Sequence, residues 1–184
     1  MLRNYLAVDL RGYANPYYAH VASTVRGAGD LYAVEVCDGP YAKRKAVLKA
    51  EHPDFVIARG GDLSHNRKLL EDPDIAVMSR PYPLDDTLAK IARDNNVLLE
   101  LCFADVRAAS GYARSRMLQS LMRTVSVARK RSVPLVLTSG ATDEYSLVTP
   151  RELAAFGTVL GLDPCEAKAA VTTVPRTFFQ GMVR

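Results

Sequence analysis

Residues 97–140 read VLLELCFADVRAASGYARSRMLQSLMRTVSVARKRSVPLVLTSG and carry the clearest structural pattern of the chain. It opens with the apolar run Val97–Leu101, continues through a polar segment at Phe103–Gly111, and then shows a long helical pattern at Tyr112–Arg131. A second apolar run, Pro134–Thr138, follows and ends in a turn. Strand, crossover helix and strand form the parallel βαβ unit, whose connection is right-handed in nearly all proteins. We therefore predict two parallel strands, a loop at Phe103–Gly111 and a helix that covers the strands.

The helix predicted at Tyr112–Arg131 has two different faces. At about 100° per residue, one side carries Leu118, Leu121, Val125 and Ala128, with Met117 and Met122 at its edges. Arg116, Arg123 and Lys130 recur every two turns and therefore lie on the opposite side. Two interpretations stay open for this basic side. It is either the solvated face of an outer helix or a cationic ridge that follows a phosphate backbone.

Composition and charge indicate a globular chain of mildly basic character. The chain has 184 residues, a net charge of +4 and a pI of about 9.0, with 48% hydrophobic and 24% charged residues. This is a folded composition, and the length suits a single domain over residues 1–184. The basic balance permits an acidic partner such as RNA without proving one.

The cysteines and the N-terminus predict a cytoplasmic protein. Cys37, Cys102 and Cys165 are far apart, odd in number and without metal-ligand spacing, which fits a reducing compartment. Residues 1–5 read MLRNY and run into an apolar segment that is neither a signal peptide nor a transit peptide. No apolar run approaches membrane-spanning length, so we expect no membrane among the partners.

Strand and helix patterns alternate in the rest of the chain. Further strands are predicted at Tyr5–Leu10, Leu31–Cys37, Phe55–Ala58 and Ile75–Met78. Helices are predicted at Pro16–Val25, Ala42–Glu51, Leu63–Glu71 and Leu84–Asn95. Near-continuous apolar strands separated by helices predict an α/β fold with a parallel sheet. An open doubly wound sheet and a barrel both satisfy this pattern.

Turn and cap signals set several boundaries. Asp38-Gly39-Pro40 predicts a turn. Thr149-Pro150 and Asp163-Pro164 each predict a helix start, because proline suits the first helical position and a glutamate follows in the first turn. Pro175 is expected to end the second of these helices.

Residues that could carry catalysis are few. His20, His52 and His65 are scattered and form neither a His-x-His nor a His-Glu-x-x-His pair, which argues against a metal hydrolase. Asp9 and Glu100 stand at or near the ends of predicted strands, where the active sites of parallel sheets lie. Without histidine partners, these carboxylates are more simply explained as buried groups bonded to the backbone. We predict no catalytic residue and no tightly bound metal in this chain.

An ordered set of short segments carries a family resemblance. Between Phe55 and Pro175 the segments are Asp86–Ala92, Asn95–Val97, Arg114, Leu118–Arg123, Val133–Ala141, Pro150–Leu153 and Gly157–Leu162. Together they resemble protein component 3 of archaeal ribonuclease P, a subunit that has a eukaryotic relative. The resemblance is looser before Phe55, where Tyr5–Asp9 is similar to the family's first strand. The ordered set is specific, although no single segment is.

The resemblance implies a distorted TIM-like α/β barrel of the polymerase and histidinol phosphatase type, with parallel strands and outer helices. Metal enzymes of that type use histidine-rich motifs, which this chain lacks. The resemblance therefore implies a noncatalytic subunit of ribonuclease P, the ribonucleoprotein endonuclease that removes the 5′ leader from precursor tRNA. Catalysis would rest on the RNA with magnesium, without a cofactor in this chain. The implied partners are ribonuclease P RNA, other protein subunits (one as a close pair) and, indirectly, precursor tRNA.

Two features depart from the family pattern. Many members place an Arg-Pro pair shortly after the strand at Val97–Leu101, where this chain reads Phe103–Arg107, so that Arg107 stands near that position. The N-terminal portion is also short for the family, which leaves open whether the barrel is complete on that side.

Basic residues around the long helix form the predicted RNA-binding site. Arginine offers a planar fork of donors that suits phosphate. The site comprises Arg107, Arg114, Arg116, Arg123 and Lys130. Two other functions stay open. One is a stand-alone metal-dependent phosphoesterase of the same barrel class that uses Asp9 and Glu100, and the other is a scaffold that contacts only protein.

Overall fold

The strands of the protein run parallel in one sheet. The computed structural model describes residues 6–37 and 41–183, and of residues 41–43 only the backbone. Its seven strands follow one another across the sheet in chain order. They are β1 (Val8–Asp9), β2 (His20–Ser23), β3 (Leu31–Val36), β4 (Phe55–Arg59), β5 (Val77–Ser79), β6 (Leu98–Cys102) and β7 (Leu135–Thr138). The predicted parallel α/β fold is confirmed.

Helices follow most of the strands. They are α1 (Tyr41–Glu51), α2 (Leu63–Leu70), α3 (Asp86–Asp94), α4 (Phe103–Ala108), α5 (Gly111–Arg131), α6 (Pro150–Val159), α7 (Pro164–Val171) and α8 (Thr173–Met182), with a short 3-10 turn at Glu144–Ser146. A large cluster of buried apolar side chains joins the outward faces of the strands to these helices. Within the described ranges, no helix combines the length and the apolarity that a bilayer crossing requires.

The sheet curls into a nearly closed barrel. Its first and last strands meet at the carboxyl ends, where the Gly140 amide donates to the Arg11 carbonyl at 2.8 Å. The Ser139 amide also donates to the Asp9 carboxylate at 3.3 Å. The described residues form no strand ladder between β1 and β7. The TIM-like barrel is thus confirmed, and its seam beside the short β1 is only partly closed.

The barrel interior is filled by side chains from alternate strand positions and from α8. The inner cluster comprises Val8, Leu10, Ala22, Leu31, Ala33, Phe55, Ile57, Val77, Leu98, Val136 and Phe179. Phe179 stacks on the ring of His20 with a centroid distance of 4.6 Å, and Phe178 meets the edge of Phe55 at 5.2 Å. Because His20 and Phe55 begin their strands, α8 covers the amino-terminal end of the barrel.

The helix predicted at Pro16–Val25 is wrong, since this segment contains strand β2. Val21, Ala22 and Ser23 are all buried, and β2 pairs in parallel with both β1 and β3. The spacing of apolar residues in a segment this short fits a helix or a strand equally well. Pairing with two neighbouring strands decides in favour of the strand, which is a tertiary effect on a weak local preference.

Two further boundaries differ from the predictions. The segment predicted as a loop at Phe103–Gly111 contains helix α4, which buries Val106. Pro175 does not end a helix, because it lies in the first turn of α8, where its missing amide costs no hydrogen bond. The turn predicted at Asp38–Pro40 and the first residue of the strand predicted at Tyr5–Leu10 lie outside the described residues.

Candidate nucleic-acid interface

Helix α5 buries one stripe against the barrel and exposes its basic side. Arg116, Arg123 and Lys130 are exposed, as predicted. The buried stripe is rotated from the predicted one, because Thr124 is 1% exposed whereas Met122 is 47% exposed. Thr124 tolerates burial since its hydroxyl donates to a backbone carbonyl in the β5–α3 connection at 3.3 Å. The contact also brings α5 and that connection side by side.

A groove of about 560 Å³ lies between α5 and the β5–α3 connection. Its lining residues are Ala113, Arg116, Met117, Ser120, Arg123 and Thr124 from α5, and Tyr82, Pro83 and Leu84 from the connection. The α5 side therefore carries two guanidinium groups and two hydroxyls, and the other side is aromatic and apolar. The two arginines are separated by about 10 Å along the helix axis. We call this feature the α5 groove.

Lys130 is already engaged in an ion pair. Its ammonium lies 3.0 Å from the Asp86 carboxylate, and Arg131 donates to the same carboxylate at 3.0 Å. The hydrogen bonds from Arg131 and Lys130 hold the pKa of Asp86 well below its ordinary value. Asp86 thus offsets part of the positive charge at this end of the predicted ridge, because one carboxylate faces two cations.

Arg107 and Arg114 are committed to backbone carbonyls. Arg107 donates to the carbonyl of Ser146 at 3.1 Å, and Arg114 donates to the carbonyl of Ala109 at 2.7 Å. These bonds join α4, the start of α5 and the loop after β7. Both side chains remain exposed, but their positions are held by the protein itself.

Arg116 and Arg123 are the members of the predicted set with uncommitted guanidinium groups. Neither makes an ion pair with any residue in 6–37 or 41–183. Arg116 does face the ring of Tyr112, with its guanidinium carbon 5.9 Å from the ring centre. Both arginines line the α5 groove, so the groove offers two cations to a phosphate backbone without first breaking an internal ion pair.

The mouth of the barrel holds a second charged cluster, built around Arg11. Its guanidinium donates to Glu35 at 2.5 Å, to Ser79 at 3.1 Å and to Glu100 at 3.2 Å. Thr138 donates to the other oxygen of Glu100 at 2.6 Å. Burial acts to lower the pKa of Arg11, but the charges of Glu100 and Glu35 outweigh it and raise this pKa. Arg11 is therefore a permanent cation at the carboxyl ends of the strands, where barrel enzymes carry their chemistry.

Asp9 and Glu100, the two carboxylates that a phosphoesterase would use, each accept hydrogen bonds from groups within the protein. Both oxygens of Glu100 are bonded, and Asp9 accepts from the backbone amides of Arg11 and Ser139. His20, by contrast, lies at the opposite end of the barrel against Phe179. Across residues 6–37 and 41–183, no three His, Cys, Asp or Glu side chains are arranged to hold a metal ion. The arrangement suits a structural ion cluster better than a metal site.

Burial of Asp9 predicts a measurable pH dependence of stability. Burial is the main cause that raises its pKa from 3.8 to about 6, against the hydrogen bonds from Ser139 and Arg11. Because the pKa is raised, the folded state binds the proton of Asp9 more tightly than the unfolded state does. The resulting contribution to the free energy of unfolding is complete below about pH 4 and is lost as pH rises to about 6. Asp9→Asn should remove this decline, which amounts to roughly 3 kcal/mol.

Urea unfolding of both proteins from pH 4 to pH 7 measures this effect. The free energy of unfolding of the wild type relative to the variant should fall with rising pH. Parallel pH profiles for the two proteins would contradict the assignment.

Comparison with known proteins identifies the family. The family model described as RNase P subunit p30 matches residues 35–180, which is most of the chain. The chain belongs to the RNase P subunit p30 family. The matched range begins in β3 and includes the α5 groove and most of the barrel mouth.

Relatives in the RNase P subunit p30 family include archaeal proteins named ribonuclease P protein component 3. The one from Methanosarcina mazei is 38% identical over 128 residues, which cover 67% of this chain and 54% of that protein. The one from Methanothermobacter thermautotrophicus is 31% identical over 148 residues, covering 77% of this chain and 60% of that protein. The chain thus spans a little more than half the length of these p30-family relatives.

Solved structures support the fold of this p30-family chain. A chain in the cryo-EM structure of an archaeal ribonuclease P with mature tRNA superposes with a TM-score of 0.69 at 22% identity, over 96% of this chain and 79% of that one. The A. niger ochratoxinase superposes with a TM-score of 0.57 at 12% identity, over 77% of this chain and 38% of that one. At these identities the likeness concerns the barrel alone.

The segment expected to depart from the family pattern, Phe103–Arg107, lies at the barrel mouth. Asp105, in the segment that follows β6, accepts two hydrogen bonds from Arg80 at 2.9 and 2.7 Å and lies 3.7 Å from Arg59. Burial acts to raise the pKa of Asp105, but the hydrogen bonds and charge of Arg80, together with the charges of Arg11 and Arg59, hold this pKa below its ordinary value. The sequence analysis did not predict the cluster of Asp105, Arg80 and Arg59, nor the role of Arg11. The only feature of the sequence that points to these residues is their position near the carboxyl ends of strands.

Proposed function

We propose that this chain is a protein subunit of ribonuclease P that binds the catalytic RNA and helps to fold or stabilise it. The observation that carries the proposal is the α5 groove, where Arg116 and Arg123 have no ionic partner among the described residues. Family membership supplies the identity of the RNA. The groove supplies a place where its phosphates can bind.

We also propose that the chain is a noncatalytic subunit. The barrel mouth is occupied by Arg11 and the carboxylates that hold it, so the groups nearest the usual catalytic position are already engaged with one another. This occupancy supports catalysis by the RNA, with magnesium bound to the RNA and no cofactor in this chain. It also disfavours the stand-alone phosphoesterase, because neither Asp9 nor Glu100 is free to act.

The proposed partners are ribonuclease P RNA, the other protein subunits and, indirectly, precursor tRNA. One subunit is expected to form a close pair with this chain. A cytoplasmic location belongs to the same proposal, and the three free cysteines, two of them exposed, support it. A scaffold that contacts only protein is the alternative, and binding of RNA by the isolated chain separates the two.

Removing the two groove arginines tests the proposed function. The double change Arg116→Ala and Arg123→Ala should weaken binding of ribonuclease P RNA and lower the salt slope of binding by about two, because each lost phosphate contact removes about one released counterion. Discrimination between RNA sequences should stay the same, since phosphate contacts position the partner without reading bases. The free energy of unfolding should change by less than about 0.5 kcal/mol per substitution.

A matched control is the double change Arg67→Ala and Arg93→Ala. These arginines are also exposed on helices, but each already pairs with a carboxylate at 2.9 Å, namely Glu71 and Asp94. The control removes the same charge away from the groove and should leave the salt slope near that of the wild type. Equal RNA affinity and equal salt slope for the groove variant and the control would contradict RNA binding in the α5 groove. Loss of precursor-tRNA cleavage in a reconstituted holoenzyme should follow the groove variant only.

A further inference from the structure

The α5 groove has a second wall, opposite its arginines, that carries no charge. This wall belongs to the β5–α3 connection and consists of Tyr82, Pro83 and Leu84. Tyr82 and Leu84 are half-buried, because they pack partly against the main core, and Pro83 is exposed. The arginines of the groove account for contacts with phosphates, but they leave the apolar wall without a contact of its own.

Two buried polar side chains hold the backbone of this wall on both sides of Tyr82. Thr124 of α5 donates to the Pro81 carbonyl at 3.3 Å. Asn66 of α2 donates to the Pro83 carbonyl at 2.9 Å. Asn66 is fully buried and Thr124 almost so. The wall is thus fixed before any partner binds, so little conformational entropy is lost on binding.

No acidic side chain occurs among the described residues that line the α5 groove. The two acidic residues that follow the wall in the sequence are engaged outside it. Asp85 accepts from the Leu88 amide at 2.8 Å and thereby caps α3. Asp86 accepts from both Lys130 and Arg131. The lining of the groove therefore presents two arginine charges, with no carboxylate among them, opposite an apolar surface.

The size of the α5 groove exceeds what a phosphate contact needs. Its volume of about 560 Å³ lies within the range of roughly 300–1,000 Å³ that is usual for sites of small organic ligands. The bases of a double helix are paired and stacked inside it, so a duplex would present mainly sugar and phosphate to both walls. In an unpaired strand, by contrast, a base is free to lie against an apolar or aromatic surface while its phosphates meet cations.

We propose that the α5 groove binds an unpaired RNA strand, with phosphates on the two arginines and a base against Tyr82 and Leu84. The proposal rests on the proposed function and adds to it the class of RNA that the groove accepts. Each nucleotide carries both an anion and an apolar ring face, and therefore matches both walls at once. The base is held by its face rather than by its edge, so sequence preference should be weak.

The test compares two single strands of equal charge, namely a short oligouridine and a ribose–phosphate strand of the same length without bases. The wild type should bind the oligouridine about tenfold more tightly, as expected for one base held on an aromatic wall. Tyr82→Ala should weaken binding of the oligouridine about tenfold and should leave binding of the abasic strand and of a blunt RNA duplex unchanged. The salt slope should not change, because no charge is removed.

Two further variants serve as controls. Tyr82→Phe should keep the preference for the oligouridine, because it keeps the ring. Tyr145→Ala should also keep it, since Tyr145 is 91% exposed but lies in the 3-10 turn after β7 and does not line the groove. Thermal unfolding shows whether each variant is folded. If Tyr82→Ala does not fold, the affinities of the wild type for the oligouridine and the abasic strand decide the matter.

The possible outcomes separate this proposal from the proposed function. Equal affinity of the wild type for the two strands, or a preference that survives Tyr82→Ala, overturns the base contact and leaves the phosphate contacts of the arginines standing. Failure of the wild type to bind either strand, with normal binding of ribonuclease P RNA, has the same meaning. Failure to bind ribonuclease P RNA overturns both proposals. If Tyr82→Ala weakens only the binding of another subunit, the wall is a protein interface and the base contact is overturned.

Discussion

Replacing Arg11 with methionine should lower the free energy of unfolding by about 3–5 kcal/mol, because it leaves a buried carboxylate without its cation. Glu100 is fully buried, and Arg11 is its ionic partner at 3.2 Å. Methionine keeps much of the side-chain volume but offers no donor to Glu100, Glu35 or Ser79. The loss is therefore electrostatic rather than a loss of packing, and urea unfolding at neutral pH measures it.

Two companion variants show whether the effect belongs to the ion cluster. Combining Arg11→Met with Glu100→Gln should cost less than the sum of the single changes, because the second change removes the charge that the first leaves unpaired. Arg26→Met is the control, since Arg26 is 62% exposed and pairs with Glu51 at 2.9 Å. Exposed ion pairs contribute about 0–1 kcal/mol. An Arg11 variant no less stable than the Arg26 variant would contradict the role of Arg11.

Replacing Phe179 with alanine should also lower the free energy of unfolding by about 3–5 kcal/mol, because it empties a buried site in the barrel interior. Phe179 is 5% exposed, belongs to the inner cluster and stacks on His20 at 4.6 Å. The substitution removes the ring by which α8 covers the amino-terminal end of the barrel. Protease cleavage within α8 should accelerate in the same variant, because the helix loses its main anchor.

The neighbouring Phe178 provides a matched control. It is only half-buried, so Phe178→Ala should cost clearly less than Phe179→Ala. Phe179→Leu should recover much of the stability, since it refills most of the space with an apolar side chain. Thermal and urea unfolding of the three variants measure the order. Equal losses for Phe178→Ala and Phe179→Ala would show that α8 does not depend on this ring.

Local patterns in the sequence determined several elements correctly. The helix starts at Thr149-Pro150 and Asp163-Pro164 are confirmed as capping boxes, each closed by a glutamate three residues after the cap. The unit of β6, α5 and β7 agrees closely with the prediction, and the basic side of α5 is exposed. These features depend on hydrogen bonds and periodicity within a few residues, so the sequence contains all the information they need.

Which charged groups are free and which are engaged depends on contacts between segments that are far apart in the chain. Lys130 finds its partner Asp86 at a separation of 44 residues, and Arg11 finds Glu100 at a separation of 89. The same holds for β2, which is a strand because β1 and β3 flank it. Ion pairs and strand pairing depend on which distant segments the barrel brings together. Periodicity places a side chain on one face of its element, but only the closed fold determines what that face meets.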